Sequence, residues 1–515
     1  MTDTLEQDLR TAQGGWRLAL LVVLSVVVRL VGLDQPIVEN YVGRQIPTAM
    51  VARNLERGSG FLHPQLDTAP LPNEFLVEPP VYAWLTVRLR HATNLSLEAA
   101  GRAVSAIGIG LAVWGVHGLV GRRSGERAGL LAALLLASFP ITLRYGRAFQ
   151  PDSLMLGCLV AGLDSWERAI QYHSRGRMIV ALILVSCGLA LKVISAYLLV
   201  PLVIVIGHRN RRRTLLWAGW ALVPAGLWYL HAMSQAASGA GSHASLDNGA
   251  IWASAFNPLA LLRREVLIHV ARFLGVRAFG PITPWLALAG FLYVGLRSRE
   301  AWLWSVWGGA TLAVMAVLAS KLHHEYYWLT VAPVVAAGSS LSLDRLVRWS
   351  RGGRVVSGFL LIACLALDGY FARSTWRTPD EWQSLDAAAR VVRQRTHAGD
   401  WIAAPEALLY AADRRGCRVE YTSSAARRAA GEWRGRASEP MLDAVREPID
   451  LIEFYRRQGA VAFADVVPPS SAIEPERVVL HDGIRRRYNV LIDRAGILYA
   501  ELVDFRETIR DAARP

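Results

Sequence analysis

The hydrophobic positions of this chain fall into repeated runs of roughly 17–22 residues, the length that a helix needs to cross the hydrocarbon core of a bilayer. The first run extends from Trp16 to Leu33 after a polar opening, so we expect a retained anchor and no cleaved signal peptide. The pattern predicts a polytopic α-helical membrane protein with about eleven transmembrane helices. The further runs lie at residues 101–120, 127–147, 153–171, 177–190, 194–208, 214–232, 283–297, 300–318, 326–343 and 354–371.

Arginine clusters between these runs predict the orientation in the membrane. If the N-terminus is cytoplasmic, all the clusters fall on cytoplasmic connections, provided that Val81 to Arg90 is an interfacial helix and not a span. Counting that short stretch as a span turns the same arginines outward, against the positive-inside rule. The clusters are Arg122/Arg123/Arg127, Arg175/Arg177, Arg209/Arg211/Arg212/Arg213, Arg297/Arg299 and Arg345/Arg348/Arg351/Arg354.

The polar segments predict two outer loops and a separate domain. Residues 34–98 are too polar and proline-rich to lie in lipid, and residues 233–282 form a second long loop with an amphipathic helix expected from Asn257 to Phe273. We predict a membrane module over residues 1–371 and a soluble periplasmic α/β domain over 372–515. The domain alternates helical stretches such as EWQSLDAAARVVRQR with the β-like runs WIAAP, VAFADVV, YNVLIDR and ILYAELVDF.

Composition and charge exclude two other classes of protein. Apolar residues make up 53% of the chain, and its net charge is +14. Because the arginines lie in short clusters between apolar runs and form no single basic face, we predict no nucleic-acid binding. Three of the four cysteines lie inside apolar runs, so neither a disulfide framework nor a cysteine-ligated metal site is expected.

Ionisable residues at the predicted outer ends of the helices are the candidates for chemistry, because such residues are costly near lipid unless they are used. The chain has only two lysines, Lys192 and Lys321, and both lie at outer ends. A lysine kept in so arginine-rich a chain suits phosphate binding, although survival at a snorkelling position is the alternative. The candidates are Glu39, Arg44, Glu78, Arg147, Asp152, Lys192, Lys321, His323, His324 and Glu325.

Four separated motifs resemble the GT-C glycosyltransferases, in the superfamily of the protein O-mannosyltransferases and the lipid A aminoarabinose transferase. Glutamate stands at position 39 where that superfamily usually has aspartate, and Tyr41 and Gly43 replace the His and Trp of a bacterial subgroup. The resemblance extends over residues 16–370. The motifs are ENYVGRQIPTAMVARNLER (39–57) with the later FLVEPPVYAWL, RAFQPD (147–152), LALKV around Lys192, and KLHHEYY (321–327).

The resemblance implies a membrane enzyme of the bacterial inner membrane that transfers a sugar from a polyprenyl-phosphate donor to an acceptor hydroxyl at the periplasmic face, with inversion. It implies Glu39 as the general base, and Glu78 and Asp152 as further catalytic carboxylates. Partners would be the lipid-linked sugar, membrane lipids and a glycan, lipid or protein acceptor. The implied donor-phosphate residues are Arg44, Gln45, Arg147, Lys192, Lys321, His323, His324, Tyr326 and Tyr327.

Other interpretations of these residues remain open at the level of sequence. Glu39 and Asp152 could instead be solvated residues at helix starts. We predict no required cofactor. A divalent metal at His323, His324 and Glu325 is an alternative, but adjacent helical residues point apart, so one hydrogen bond to phosphate is favoured over two metal ligands from this trio. The rival functions are a flippase for polyprenyl-linked glycans and a non-catalytic component of envelope-glycan assembly. A transporter would more typically show repeats and charges near the bilayer midplane.

Overall fold

The computed structural model describes residues 2–39, 42–239, 241, 257, 259, 263–318, 324–468, 473–494 and 496–503, with side chains from residue 15 onward. These residues form two compact units. The helical unit comprises Met1–Asp34, Glu78–Ala232 and Asn248–Trp376. The sheet unit comprises Gln35–Val77, Met233–Asp247 and Arg377–Pro515, so the units do not coincide with continuous segments of the chain.

The predicted apolar runs are helical in the structure. Three of them are interrupted: 127–147 breaks at Phe139 before Pro140, 194–208 is a series of short 3-10, α- and π-helical turns, and 326–343 begins as a 3-10 helix over Glu325–Val331. In chain order the helices before the sheet are α1 (Thr2–Val27), α2 (Val42–Glu56), α3 (Val81–Thr93), α4 (Leu97–Ser124), α5 (Glu126–Ser138), α6 (Pro140–Tyr145), α7 (Asp152–Gln171), α8 (Arg175–Leu191), α9 (Arg211–Ala237), α10 (Arg264–Arg272), α11 (Thr283–Val294), α12 (Trp302–Val317), α13 (Ala332–Trp349) and α14 (Arg351–Ala372).

Length and composition identify fewer spans than the sequence predicts. Within the described residues, two helical stretches, Leu97–Ser124 and Arg351–Trp382, are long and apolar enough to cross a membrane. Two bent pairs, one ending at Ala237 and one at Val294, raise the number to four if each pair is one span. The helical class is therefore confirmed, while the number of about eleven spans stays a prediction.

The amphipathic helix predicted from Asn257 to Phe273 is seen only in its second half, as α10, because most of its first residues lie outside the described ones. The stretch predicted to lie at the interface forms α3, a helix of 13 residues. This length is too short to span a bilayer.

Glycines set the contact between α4 and α7 in the helical unit. A Cβ atom built on Gly157 of α7 would lie 2.1 Å from the carbonyl oxygen of Gly108 on α4. A Cβ atom on Gly108 would lie 2.6 Å from the backbone of Leu154, and one on Gly115 would lie 2.9 Å from Val160 and Ala161. The two backbones can touch because these side chains are absent, which is a common way for helices to associate in membranes.

The variant Gly157→Ala is therefore expected to destabilise the protein by about 1–3 kcal/mol, because the new methyl group forces α4 and α7 apart. The melting temperature of the purified chain in detergent measures this loss. Gly219→Ala on α9 is the control, since a Cβ atom there meets nothing within 4 Å. If both variants melt like the wild type, the close approach of the two helices is wrong.

The sheet unit contains a five-stranded sheet of order β2-β1-β3-β5-β4. Strands β1, β2 and β3 are parallel, and β5 is antiparallel to both β3 and β4. The four predicted β-runs and the predicted helix at α15 are confirmed, whereas the three-residue β2 was not foreseen. The elements are α15 (Leu385–Arg395), β1 (Trp401–Ala404), α16 (Glu406–Ala412), β2 (Gly416–Arg418), α17 (Ser423–Gly431), α18 (Glu439–Asp443), α19 (Pro448–Arg457), β3 (Ala460–Asp465), α20 (Pro475–Arg487), β4 (Asn489–Arg494) and β5 (Ile497–Glu501).

A buried carboxylate at the end of β3 accepts hydrogen bonds from side chains of other segments of the sheet unit. Asp465 accepts hydrogen bonds from His481 Nε2 at 2.8 Å, from Arg477 Nε at 2.9 Å and from the Tyr421 hydroxyl at 2.9 Å. Burial disfavours the charged form of this carboxylate, but the bonds from His481 and Arg477 outweigh burial and lower the pKa of Asp465. A carboxylate whose pKa is lower in the folded state stabilises the fold above its unfolded pKa of about 3.9.

The stability of the sheet unit is therefore expected to fall as the pH drops below about 4 toward the lowered pKa of Asp465. Hydrogen exchange of the β3 amides, corrected for the intrinsic pH dependence of exchange, measures this effect in the full chain. In Asp465→Asn the protection should be lower at neutral pH and should depend less on pH. Equal protection of wild-type β3 at pH 3 and pH 6 would contradict the role given to Asp465.

Candidate active site

Two side chains at adjoining helix ends form a buried ion pair in the helical unit. Asp152 begins α7 directly after Pro151, and Lys192 follows the last residue of the neighbouring α8. The Lys192 ammonium contacts Asp152 Oδ1, and the two side chains are 8% and 1% exposed. Because α7 and α8 are antiparallel neighbours, the first residue of α7 lies beside the end of α8. Charges this deeply buried are tolerated when they are paired.

Aromatic rings from the segment that follows the second lysine pack beside this pair. The Lys192 ammonium lies 4.3 Å from the ring centroid of Tyr326 and 5.1 Å from that of Tyr327, both within the range of cation–π attraction. The His324 ring stacks on Tyr326 with centroids 5.5 Å apart and planes inclined by 13°. Five of the predicted site residues, Asp152, Lys192, His324, Tyr326 and Tyr327, thus lie together.

A small cavity beside the pair combines polar and apolar walls. Its volume of about 20 Å³ is enough for one water molecule. Asp152 Oδ2 is buried without a hydrogen-bond partner among the described residues. The polar wall consists of Asp152, Lys192, Ser195, Tyr197, Tyr326, Tyr327 and Thr330, and the apolar wall of Met155, Ile194, Val314, Met315 and Leu318.

A second cluster, which sequence reasoning missed, surrounds Glu325. Its carboxylate pairs with Arg144 at 3.2 Å and with Arg277 at 2.8 Å, and the Tyr145 hydroxyl donates to it at 3.4 Å. The Tyr145 ring packs edge-on against Tyr326, which links this cluster to the Lys192 pair. Arg144 stands inside a predicted apolar run, and a charge there was the available signal.

Arg147 is fully buried and bonds to the backbone. Its Nη1 and Nη2 atoms donate to the carbonyl oxygens of Val31 and Gly32, both at 2.7 Å. Arg102 donates to the next carbonyl, that of Leu33, also at 2.7 Å. The structure thus uses two buried guanidinium groups to hold the chain where it leaves the first helix.

Glu39, Arg44 and Gln45 belong to the sheet unit. Glu39 is 1% exposed, and the fully buried Gln45 donates from Nε2 to the Glu39 backbone oxygen at 2.5 Å. The Arg44 guanidinium lies over the Phe75 ring, 5.3 Å from its centroid. The amide of Gln45 therefore fixes the backbone that carries the Glu39 carboxylate.

The helix that follows Glu39 is anchored to the C-terminal segment within the same unit. Arg53 of α2 pairs with Asp67 at 2.5 Å and donates to the backbone oxygen of Tyr410 at 2.7 Å. Residues 67–69 lie along the open edge of the sheet, where the amide of Ala69 donates to the Gly416 oxygen at 2.7 Å and the amide of Gly416 to the Asp67 oxygen at 3.0 Å. The C-terminal segment thus holds the end of α2 and the loop at residues 67–69.

The remaining predicted residues are placed as follows. Glu78 is half-buried in the helical unit, directly before Pro79 and α3. Lys321 and His323 lie outside the described residues. Among the described residues, no group of three or more His, Cys, Asp or Glu side chains could hold a metal ion.

Known proteins share this architecture. A family model described as dolichyl-phosphate-mannose-protein mannosyltransferase matches residues 77–236, which include Asp152 and Lys192. The crystal structure of ArnT from Cupriavidus metallidurans bound to undecaprenyl phosphate matches with a TM-score of 0.62 and 16% identity, over 95% of this chain and 98% of that chain. A comparison with curated protein sequences finds no match.

Two larger solved structures match as well. The oligosaccharyltransferase from Archaeoglobus fulgidus has a TM-score of 0.53 and 13% identity, over 87% of this chain and 68% of its own. The arabinofuranosyltransferase AftD from Mycobacteria has a TM-score of 0.53 and 13% identity, over 94% of this chain and 40% of its own. Matches at this identity report the fold. The chain has the fold of the GT-C glycosyltransferases, and the resemblance predicted from its motifs is confirmed.

Proposed function

We propose that this chain is a membrane glycosyltransferase that transfers a sugar from a polyprenyl-phosphate donor to an acceptor hydroxyl at the periplasmic face of the bacterial inner membrane. The observation that carries the proposal is the buried Lys192–Asp152 pair, with Tyr326 and Tyr327 against the ammonium, beside a small cavity whose lining includes apolar side chains. The match to an ArnT structure that holds undecaprenyl phosphate supports a donor of the same lipid class.

Lys192 is assigned to the donor phosphate. Its ammonium is buried, and a phosphate oxygen entering the cavity would share it with Asp152 in a charge-assisted hydrogen bond. His324 and Lys321 are assigned to the same phosphate. The apolar wall formed by Met155, Val314 and Leu318 suits the first isoprene units. The cavity must widen for this, because it now has room for one water molecule.

Glu39 is assigned as the general base. It accepts the proton of the acceptor hydroxyl while that oxygen forms a bond to the anomeric carbon from the face opposite the phosphate. The bond between the anomeric carbon and the phosphate oxygen breaks, and polyprenyl phosphate departs with the electron pair. Lys192 stabilises the charge that develops on the phosphate, so the reaction is a single displacement with inversion.

The other site residues are assigned to positioning. Glu78 and Asp152 orient the acceptor and donor sugars, and Arg44 and Gln45 fix the segment around Glu39. Arg147 is assigned a structural role, because it bonds to the backbone at Val31 and Gly32, in the segment that precedes Glu39. The proposed base belongs to the sheet unit, in which Arg53 and residues 67–69 bond to the C-terminal segment.

The test is whether the purified chain breaks the donor linkage. A panel of polyprenyl-phosphate sugars is incubated with the chain in detergent, and mass spectrometry follows the release of free polyprenyl phosphate and the appearance of glycosylated acceptor. We expect equal amounts of both products from one donor. Movement of intact donor across proteoliposomes, with no cleavage of any donor in the panel, would instead establish a flippase.

A further inference from the structure

A second, larger crevice lies at the opposite end of the helical unit, where the predicted cytoplasmic connections meet. It is open and has a volume of about 940 Å³. Its basic residues come from three different connections that are far apart in the sequence. The crevice is lined by Arg122, Arg123, Glu167, Ile170, Gln171, Ile204, Val205, Ile206, His208, Arg209, Arg211, Arg297, Arg299 and Trp302.

The charge of this crevice is far from balanced. Arg122 and Arg123 on one wall are neutralised by Glu167, at 2.6 and 2.5 Å, and Arg122 also pairs with Asp164 at 2.6 Å. The crevice is also lined by the exposed arginines 209, 211, 297 and 299, for which the described part of the chain supplies no ion pair. Four guanidinium groups therefore line one space without an ion-pair partner among the described residues.

The positive-inside rule accounts for arginines on this side of the membrane but not for their convergence on one cavity. The arginines at 175, 351 and 354 satisfy the same rule and line no part of the crevice. Convergent guanidinium groups are the usual protein partners of phosphate, because their fork matches two of its oxygens. The geometry points to a phosphate-bearing ligand.

We infer that this crevice binds the phosphate headgroup of an anionic phospholipid. A soluble phosphate would need only the arginines, whereas this crevice also has an apolar wall at Ile170, Ile204 and Ile206 and a half-exposed Trp302. Tryptophan is enriched at the level of lipid headgroups, and isoleucines beside it suit the first acyl carbons. Basic pockets between transmembrane helices on the cytoplasmic side bind such headgroups. This site is separate from the proposed transfer site.

The test compares two triple variants of the full chain that lose equal charge on the same predicted side. The crevice variant is Arg209→Gln with Arg211→Gln and Arg297→Gln, and the control is Arg175→Gln with Arg351→Gln and Arg354→Gln. All six arginines are exposed, so neither variant disturbs a buried pair. Each protein is released from nanodiscs of phosphatidylcholine with a minor fraction of phosphatidylglycerol, and native mass spectrometry counts the retained phosphatidylglycerol.

The crevice variant is expected to retain at least about tenfold less phosphatidylglycerol than the wild type, because it loses three charge-assisted contacts. The control variant should retain it like the wild type. Equal losses in both variants, or no loss in the crevice variant, would overturn the inference. A further arm adds millimolar inorganic phosphate alone: displacement of the lipid by phosphate would show a general phosphate site and overturn the lipid assignment.

Discussion

Replacing Glu39 by glutamine is expected to lower the rate of sugar transfer by about 10²- to 10⁴-fold, the contribution that a positioned general base usually makes. The glutamine amide has the shape of the glutamate side chain but cannot take the acceptor proton. Carrier binding should be unchanged, since the phosphate is assigned to Lys192. The measurement is the single-turnover rate of transfer at saturating donor, with donor affinity determined in parallel.

The substitution should leave the local fold intact. Gln45 donates to the backbone oxygen of Glu39, and this contact survives in the variant because the backbone is unchanged. Glu56→Gln is the matched control, because it removes a half-buried carboxylate at the other end of α2. Transfer within about threefold of wild type in Glu39→Gln would remove Glu39 from the role of base.

Removing the buried ion pair is expected to weaken carrier binding by about 10- to 100-fold, the value of a hydrogen bond to a charged group. Lys192→Met alone would leave Asp152 charged and unpaired in a buried site, which destabilises a protein by about 3–5 kcal/mol. The informative variant is therefore the double substitution Asp152→Asn with Lys192→Met. Its affinity for polyprenyl phosphate without a sugar is measured directly, so an effect on sugar orientation does not interfere.

The control for the double variant removes an ion pair at the other end of the helical unit. Asp344→Asn with Arg348→Met breaks a pair of 2.7 Å in which the carboxylate side chain is 8% exposed. This control should bind polyprenyl phosphate like the wild type. If the Lys192 double variant also binds like the wild type, the phosphate lies elsewhere in the protein.

The Lys192 cluster could be predicted from the sequence because the ends of successive transmembrane helices alternate between the two faces of the membrane. Asp152 and Lys192 lie 40 residues apart, yet the predicted alternation of spans puts both at outer ends of neighbouring helices. The scarcity of lysine singled out Lys192. The aromatic segment around Tyr326 supplied the remaining members, His324, Tyr326 and Tyr327. The β-runs of the C-terminal segment were equally visible, because their apolar residues cluster between turn residues.

Features that depend on tertiary contacts could not be predicted from the sequence. Arg144, Arg277 and Glu325 come from three distant segments, and only the packing of those segments makes them a cluster. Arg147 carried the charge expected of a phosphate ligand, but its place among backbone carbonyls cannot be inferred from its neighbours in sequence. Residues 67–69 meet the sheet at β2, a strand too short to leave a pattern, so the place of residues 35–77 in the sheet unit could not be predicted.

The proposed reaction is a single displacement at the anomeric carbon of a polyprenyl-phosphate sugar. The most direct measurement is the anomeric configuration of the product, determined by NMR after transfer from a donor of known configuration by the purified chain. A product of inverted configuration, formed together with free polyprenyl phosphate, is the predicted result. A product that retains the donor configuration would contradict the claim, because it requires a covalent intermediate or a second displacement.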